Sequence, residues 1–131
     1  MSPRLAGLAR VYARVALGAA FLSAVASRLG LWRTSDFARF ERYAAEVLSF
    51  APAGWVPFLA RAATVAETAL GLALVAGFRP RATGLASALL LAIFGVAMAI
   101  SFGPKEPLDY SVFSASACAL LLAASSPPRA P

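Results

Sequence analysis

The stretch VPFLARAATVAETALGLALVAGF, residues 56–78, decides the fold, because it is apolar almost throughout and yet carries Arg61 near its start and Glu67 at its middle. At about 1.5 Å of rise per residue, a helix of this length measures about 34 Å and exceeds the roughly 30 Å hydrocarbon core of a bilayer. A charged side chain at the middle of a span costs about 2.5–3.5 kcal/mol on insertion scales. We therefore expect Glu67 to face protein or water rather than lipid, shielded by the other helices.

The composition of the chain agrees with one integral membrane domain over residues 1–131. Of its residues 60% are hydrophobic and 14% are charged, and the mean hydropathy is +0.75, whereas ordinary domains are about 45–50% apolar. The net charge of +6 comes from basic residues spread singly between apolar runs, which predicts no nucleic-acid surface. Cys118 is the only cysteine and there is no histidine, which excludes an intrachain disulfide, a His-ligated metal or haem, and a nucleophile–histidine pair. Cys118 is expected to be a small packing residue.

The hydropathy pattern predicts an all-α fold, an integral membrane four-helix bundle. Its spans lie at about residues 15–32, 56–78, 82–103 and 108–126. Residues 35–50 mix charged and apolar side chains at helical spacing, which predicts an amphipathic helix in the first outer loop, lying at the interface or capping the bundle. Ser35 or Asp36 is expected to cap its start.

The first span has one competing interpretation, a cleavable leader. It has a basic start, and the letters AVA at residues 24–26 have the A-x-A form of a cleavage site. The apolar pattern nevertheless runs on to Trp32, and its small residues form one ridge suited to helix packing. We therefore expect this span to be retained.

The loops on the two sides of the predicted bundle differ in charge. The side of both termini carries six arginines and no acid, whereas the other side mixes basic and acidic residues. The positive-inside rule therefore predicts cytoplasmic termini. The six arginines are Arg4, Arg10, Arg14, Arg79, Arg81 and Arg129.

Polar residues within the apolar pattern define the candidate site. Arg28 is expected near the outer end of the first span, and Arg61 about a turn and a half into the second. Arg61 and Glu67 are six residues apart, about 120° around a helix, so each needs a partner elsewhere. Arg28 or Arg61 is expected to pair with Asp109 across the bundle. The resulting ligand or proton pocket in the outer half has seven candidate residues, with no catalytic residue and no metal ligand among them: Glu67, Arg61, Arg28, Asp109, Tyr110, Thr64 and Ser114.

A purely structural interpretation of these residues stays open. Arg61 would then snorkel to the outer surface, and Asp109 would cap the fourth helix. Glu67 would form a hydrogen bond that only fixes helix packing.

Several motifs together resemble the DoxX family of small four-span bacterial membrane proteins, over nearly the whole chain. They are the R-x-x-x-G-x-x-F start at Arg14, the closing Arg28, the run AETALGLALVAG at residues 66–77 followed by R-x-R, and PLDYSVF at residues 107–113. The resemblance implies a multi-pass protein of the bacterial inner membrane. The residues typical of the family are Arg14, Gly18, Glu67 and Gly71.

The same resemblance implies a function linked to redox complexes. Relatives include DoxD-like subunits of a thiosulfate:quinone oxidoreductase, DoxX proteins of oxidative-stress systems, and MauE-like proteins linked to amine dehydrogenase maturation. The leading hypothesis is a membrane subunit of a quinone-linked redox or oxidative-stress complex, with a quinone near Glu67, a soluble oxidoreductase partner and no covalent cofactor. Homo-oligomerisation stays open, and a standalone enzyme is not expected. The alternative is a noncatalytic assembly factor, or a small-solute, proton-coupled permease.

Overall fold

The computed structural model describes residues 2–31 and 36–128, and within these residues all regular structure is helical. This confirms the all-α prediction. Six α-helices and one short 3-10 turn, Ala53–Trp55, follow one another in the described parts of the chain. The helices are α1 (Pro3–Arg28), α2 (Phe37–Val47), α3 (Val56–Ala76), α4 (Pro80–Phe102), α5 (Lys105–Asp109) and α6 (Val112–Ser125).

Three segments of the described chain are long and apolar enough to cross a membrane, namely Pro3–Arg28, Ala53–Ala76 and Pro80–Phe102. They make the protein a multi-pass membrane protein. The predicted fourth span at 108–126 is not confirmed, because Ser111 takes a left-handed backbone with φ 57° and separates α5 from α6. The apolar helix α6 has 14 residues, about 21 Å, which is shorter than the hydrocarbon core.

The first helix begins earlier and ends earlier than predicted. Ser2 caps it by accepting a hydrogen bond from the backbone N–H of Leu5 at 3.2 Å, and Pro3 occupies the first turn, where no N–H is needed. The N-terminal arginines therefore lie on the helix and not in a segment before it. The helix stops at Arg28 rather than at residue 32, and Gly30 follows it with φ 74°.

Helices α1 and α3 run antiparallel and meet at a glycine seam. A Cβ atom built on Gly18 would lie 2.9 Å from the carbonyl oxygen of Gly71, and one built on Gly71 would lie 2.9 Å from Cγ of Leu22. The backbones approach this closely because both positions lack a side chain. Phe21 and Val25, on the same stripe as Gly18, are buried, so this face of α1 does pack against a partner helix.

Helices α4 and α6 form a second close antiparallel pair. A Cβ atom on Gly84 would lie 2.9 Å from the carbonyl oxygen of Ala119, and Ser116 donates a hydrogen bond to the carbonyl of Ala88 at 2.7 Å. The two pairs share one apolar core. Its buried residues are Leu17, Phe21, Leu74, Ala88, Ala119 and Leu122.

The helices begin and stop at two ends of the molecule, the terminal end and the α2 end. At the terminal end α1 begins and α6 ends, and Arg10 Nη1 donates to the carbonyl of Ser125 at 3.4 Å. The end of α3 and the start of α4 lie at the same end, because the Arg14 guanidinium contacts Gly77. The opposite end, where α1 stops and α3 begins, is covered by α2 and is called the α2 end.

The amphipathic helix α2 covers that end with its apolar face. Asp36 caps it by accepting from the N–H of Arg39 at 2.7 Å, whereas Ser35, the other predicted cap, lies outside the described residues. On its far side, Tyr43 stacks on Phe102 of α4 with ring centroids 6.2 Å apart. Its apolar face packs on the start of α3, and this cluster comprises Phe37, Phe40, Ala44, Leu48, Val56 and Ala60.

Candidate functional site

A buried ion pair joins α1 to α3 at the centre of the candidate site. Nη1 of Arg28 contacts Oε2 of Glu67 and also donates to Oγ1 of Thr64 at 3.1 Å. The two charged side chains are 11% and 6% exposed. Charges removed from water to this degree are tolerated only when they are paired and hydrogen-bonded. The Glu67 carboxylate therefore faces protein rather than lipid, as its position in the middle of a span requires.

An aromatic ring from α2 covers the Arg28 side of the site. The guanidinium carbon of Arg28 lies 3.6 Å from the centroid of the Phe40 ring, a cation–π contact. Phe40 comes from α2, so the amphipathic helix covers the charges as well as the apolar core. The Arg28 guanidinium is thus held by a carboxylate, a hydroxyl and an aromatic face.

The threonine of the site has both of its hydrogen-bonding roles filled. Thr64 Oγ1 accepts from Arg28 and donates to the carbonyl of Ala60 at 2.8 Å. One turn later, Thr68 Oγ1 donates to the carbonyl of Thr64 at 2.7 Å. The Thr64 hydroxyl is therefore engaged within the protein both as a donor and as an acceptor.

Helical spacing brings these side chains together. On α3, Ala60, Thr64, Glu67, Gly71 and Leu74 follow one another at steps of four and three, so they share one face. The stripe from Arg14 to Arg28 on α1 has the same spacing. When two such stripes pack antiparallel with Gly18 on Gly71, Arg28 arrives at Thr64 and Glu67.

Arg28 lies deeper in the protein than predicted. It contacts Thr64, eight residues after the start of α3, which is about 12 Å along the helix axis. The prediction placed Arg28 near the outer boundary because Arg28 lies near the end of its own span. Helix α3 extends about two turns beyond the end of α1, so the guanidinium lies within the depth of α3, where α2 covers it.

The predicted pairing of Arg28 or Arg61 with Asp109 is wrong. Asp109 accepts from Lys105 Nζ at 2.6 Å, within one short helix and at an exposed surface. This pairing is local, at a spacing of four residues, and needs no second helix. Arg28 takes Glu67 instead, and Arg61 is exposed.

The other predicted site residues are divided between the core and the surface. Tyr110 is 67% exposed and Ser114 is also exposed, so neither lies with Arg28 and Glu67. Gly18 and Gly71 form the α1–α3 seam. Arg14 contacts Gly77 at the terminal end, far along the stripe from Glu67.

Phe40 is a residue of the site that the sequence analysis missed. The amphipathic pattern of α2 was the available signal, because the apolar face of such a helix has to pack against another part of the protein. The register of α2 on α3 was not available from that pattern, because no polar motif in α2 points to Arg28.

Two grooves of the described surface lie away from the ion pair. One runs between α2 and the start of α3 and includes Glu41, Arg42 and Pro57. The other, between α3 and α4, is lined by apolar side chains such as Ala66, Leu70 and Leu89.

Within the described ranges, no three histidine, cysteine or acidic side chains come close enough to hold a metal ion. Cys118 packs half-buried against the core, as expected.

Comparison with known proteins gives a family. Residues 6–109 match the family model described as methylamine utilisation protein MauE. Neither the curated proteins nor the solved structures contain a match to the chain. The match overturns the resemblance to DoxX, and with it the support for a quinone-linked redox subunit. The misleading motifs were a mid-span glutamate, helix-spaced glycines and flanking arginines, which serve helix packing and orientation in the membrane and are not specific to one family. The matched residues make up well over half of the sequence, and the chain belongs to the MauE family of membrane proteins.

Proposed function

We propose that this protein is a noncatalytic membrane factor of methylamine utilisation, which assists the assembly of a soluble enzyme of that process. The family match supplies the process. The observation that carries the noncatalytic part is the buried Arg28–Glu67–Thr64 cluster, in which Nη1 of Arg28 contacts both Oε2 of Glu67 and Oγ1 of Thr64. A carboxylate used for proton transfer has to reach the group on which it acts, and the contacts of Glu67 are with its own protein.

The ion pair supports an assembly role by fixing one arrangement of α1 on α3. Its contacts are directional, because the planar guanidinium engages Glu67, Thr64 and the Phe40 ring at the same time. A register shift along the glycine seam would separate all three contacts. The pair thus holds α2, through Phe40, in a defined position at the α2 end.

The outer face of α2 is the surface that we assign to a partner. Arg42 and Glu46 are exposed on it, and the groove beside Glu41 and Pro57 runs along its base. Charge distribution favours an extracytoplasmic position for this face, since the terminal end carries arginines without acids and the positive-inside rule keeps such ends in the cytoplasm. In a bacterium, the membrane would be the inner membrane and the partner would be periplasmic.

A deletion strain of the encoding organism tests the proposal. With methylamine as the only nitrogen source, the strain should lose growth, whereas growth on ammonium should be unchanged. Uptake of labelled methylamine should continue, while amine-oxidising activity in the soluble fraction falls at least tenfold. The wild-type chain should restore growth, and Glu67→Leu should restore less of it than Asp109→Asn, which removes a carboxylate from the exposed pair.

The competing function is a proton-coupled permease that uses Glu67, favoured by the position of this carboxylate in the middle of a span. Uptake separates the two functions. If methylamine uptake is lost in the deletion strain while the soluble amine-oxidising activity is intact, the permease is correct. If growth on methylamine does not change, the link to methylamine utilisation is wrong for this chain.

A further inference from the structure

The guanidinium groups of Arg14 and Arg79 lie at the turn that joins α3 to α4, one beside Gly77 and the other beside Phe78. Gly77 ends α3 with φ 76°, and a Cβ atom built there would clash with Nη1 of Arg14. Arg79 lies over the neighbouring Phe78 ring, with its Cζ atom 5.5 Å from the centroid. Arg81 is exposed two residues later. The absence of a side chain at Gly77 is thus what lets Arg14 reach this turn.

Among the described residues, no acidic side chain lies near this turn. The six acidic residues of the chain are the N-cap of α2, two residues on α2, two on α5 and Glu67. Glu67 is ten residues from Gly77 along α3, which is about 15 Å, and it is paired with Arg28. Nε of Arg14 is buried and has no hydrogen-bond partner among the described residues. The positive charges at this turn are therefore not neutralised within the described chain.

Arginines gathered without acids favour an anion between them, because guanidinium groups bind phosphate through paired N–H donors. The turn also lies at the ends of two membrane-spanning helices, at the level where lipid headgroups lie. Exposed apolar side chains lie at the turn and at the end of α3, with Phe78 58% and Val75 42% exposed. Charge at the turn and an apolar surface below it match the two parts of a phospholipid.

We propose that Arg14, Arg79 and Arg81 bind the phosphate of an anionic phospholipid, whose acyl chains lie along Val75 and Phe78. Arg14 supplies the inner contact, beside Gly77. Arg79 and Arg81 flank Pro80 and supply the outer contacts. A zwitterionic lipid brings a choline group that this turn repels, so the site selects lipids with net negative charge.

Native mass spectrometry of the full-length protein, with phosphatidylglycerol as the probe, tests this site. The wild-type protein should retain phosphatidylglycerol in preference to phosphatidylcholine. Arg79→Gln should weaken binding about fivefold and Arg79→Gln/Arg81→Gln about twenty-five-fold, in line with the contribution of a basic residue near an anionic surface. Arg42→Gln removes one exposed arginine at the α2 end and is the matched control, for which no change is expected.

Further outcomes separate this site from nonspecific attraction. An equal loss of binding in Arg42→Gln and Arg79→Gln would show that overall charge attracts the lipid, and would overturn the proposal. Displacement of the lipid by millimolar inorganic phosphate would overturn the lipid assignment in favour of a soluble anion. Arg14→Gln removes a half-buried group, so its lipid binding is compared with that of Arg79→Gln. The Arg79 side chain is exposed, and its replacement is not expected to disturb folding.

Discussion

At the residue scale, the protein contains two ion pairs of opposite character among its described residues. Arg28 and Glu67 are buried between two helices, whereas Lys105 and Asp109 lie on one short helix with side chains 84% and 56% exposed. Exposed pairs contribute about 0–1 kcal/mol because water screens them. Removal of one partner from a buried pair costs about 3–5 kcal/mol, because the other charge is left uncompensated. Stability should therefore depend on Glu67 and hardly on Asp109.

Replacement of Glu67 tests this difference. We expect Glu67→Leu to lower the free energy of unfolding by about 3 kcal/mol or more, since Arg28 then keeps its charge with only Thr64 and Phe40 as partners. Asp109→Asn should change it by about 1 kcal/mol or less. Equilibrium unfolding in mixed micelles, followed by circular dichroism, measures both.

The double variant Arg28→Leu/Glu67→Leu separates charge from packing. Removal of both charges leaves an apolar contact of similar volume, so most of the loss seen in Glu67→Leu should be recovered. If the double variant is as unstable as the single one, the uncompensated charge of Arg28 is not the cause.

At the element scale, the glycine positions decide how closely the helices pack. Gly18 lies at a backbone contact with Gly71, whereas a Cβ atom on Gly7, in the same helix, would have no neighbour within 4 Å. The contact at Gly18 cannot relax by a side-chain rotation, because one of the clashing atoms is a backbone oxygen. The same substitution should therefore have opposite effects at the two positions.

We expect Gly18→Ala to destabilise the protein by about 1–3 kcal/mol, as overpacking does. Gly7→Ala should be neutral or stabilising by up to about 1 kcal/mol, because alanine is the better helix former. Unfolding measurements on the two variants make the comparison within one helix. Equal effects at Gly7 and Gly18 would contradict the close α1–α3 approach.

The helix α2 carries a titratable group at its contact with α4. Burial, followed by the nearby charge of Glu106, raises the pKa of Tyr43 above its ordinary value of about 10. The neutral phenol is thus favoured in the folded protein. Its contribution to stability is complete below pH 10 and is lost as the pH rises through the raised pKa.

A spectrophotometric titration at 295 nm tests this shift. The wild-type protein should show a tyrosine component that ionises above the ordinary range and that is absent from Tyr43→Phe. The variant should also lose less stability than the wild type above pH 10. A titration curve that keeps its late component in Tyr43→Phe would assign the shift to another tyrosine.

At the scale of the whole molecule, the sequence predicted what hydropathy and helical spacing determine. The span at residues 56–78 matches α3 within two residues, and the stripe from Arg14 to Arg28 faces a partner helix as expected. The partner of Arg28 was missed because it depends on the register of α1 on α3 at the Gly18–Gly71 contact, and the break at Gly30 was missed because it depends on backbone geometry that composition does not report. The break at Ser111 was missed for the same reason, since a left-handed serine has no sequence signature as clear as glycine has.

The break at Ser111 also affects where the end of α6 lies. Helix α6 is about 21 Å long, yet it runs antiparallel to α4 from Phe113, beside Gly95, to Ala119, beside Gly84. The carbonyl of Ser125 then accepts from Arg10 at the terminal end. We therefore expect α6 to complete a fourth crossing, with α5 making up the missing length at the α2 end, so that the start of α1 and the end of α6 lie on the same side of the membrane.

Labelling of single cysteines with a membrane-impermeant maleimide tests this topology in intact cells. In a Cys118→Ala background, Ser2→Cys and Pro128→Cys should both be protected, and Ala53→Cys, in the 3-10 turn at the α2 end, should react. Permeabilised cells are the control, in which all three should react. If Pro128→Cys reacts in intact cells while Ser2→Cys stays protected, α6 does not cross the membrane. Reaction of both Ser2→Cys and Pro128→Cys with protection of Ala53→Cys would keep the fourth crossing and reverse the orientation, so the α2 face would then meet a cytoplasmic partner.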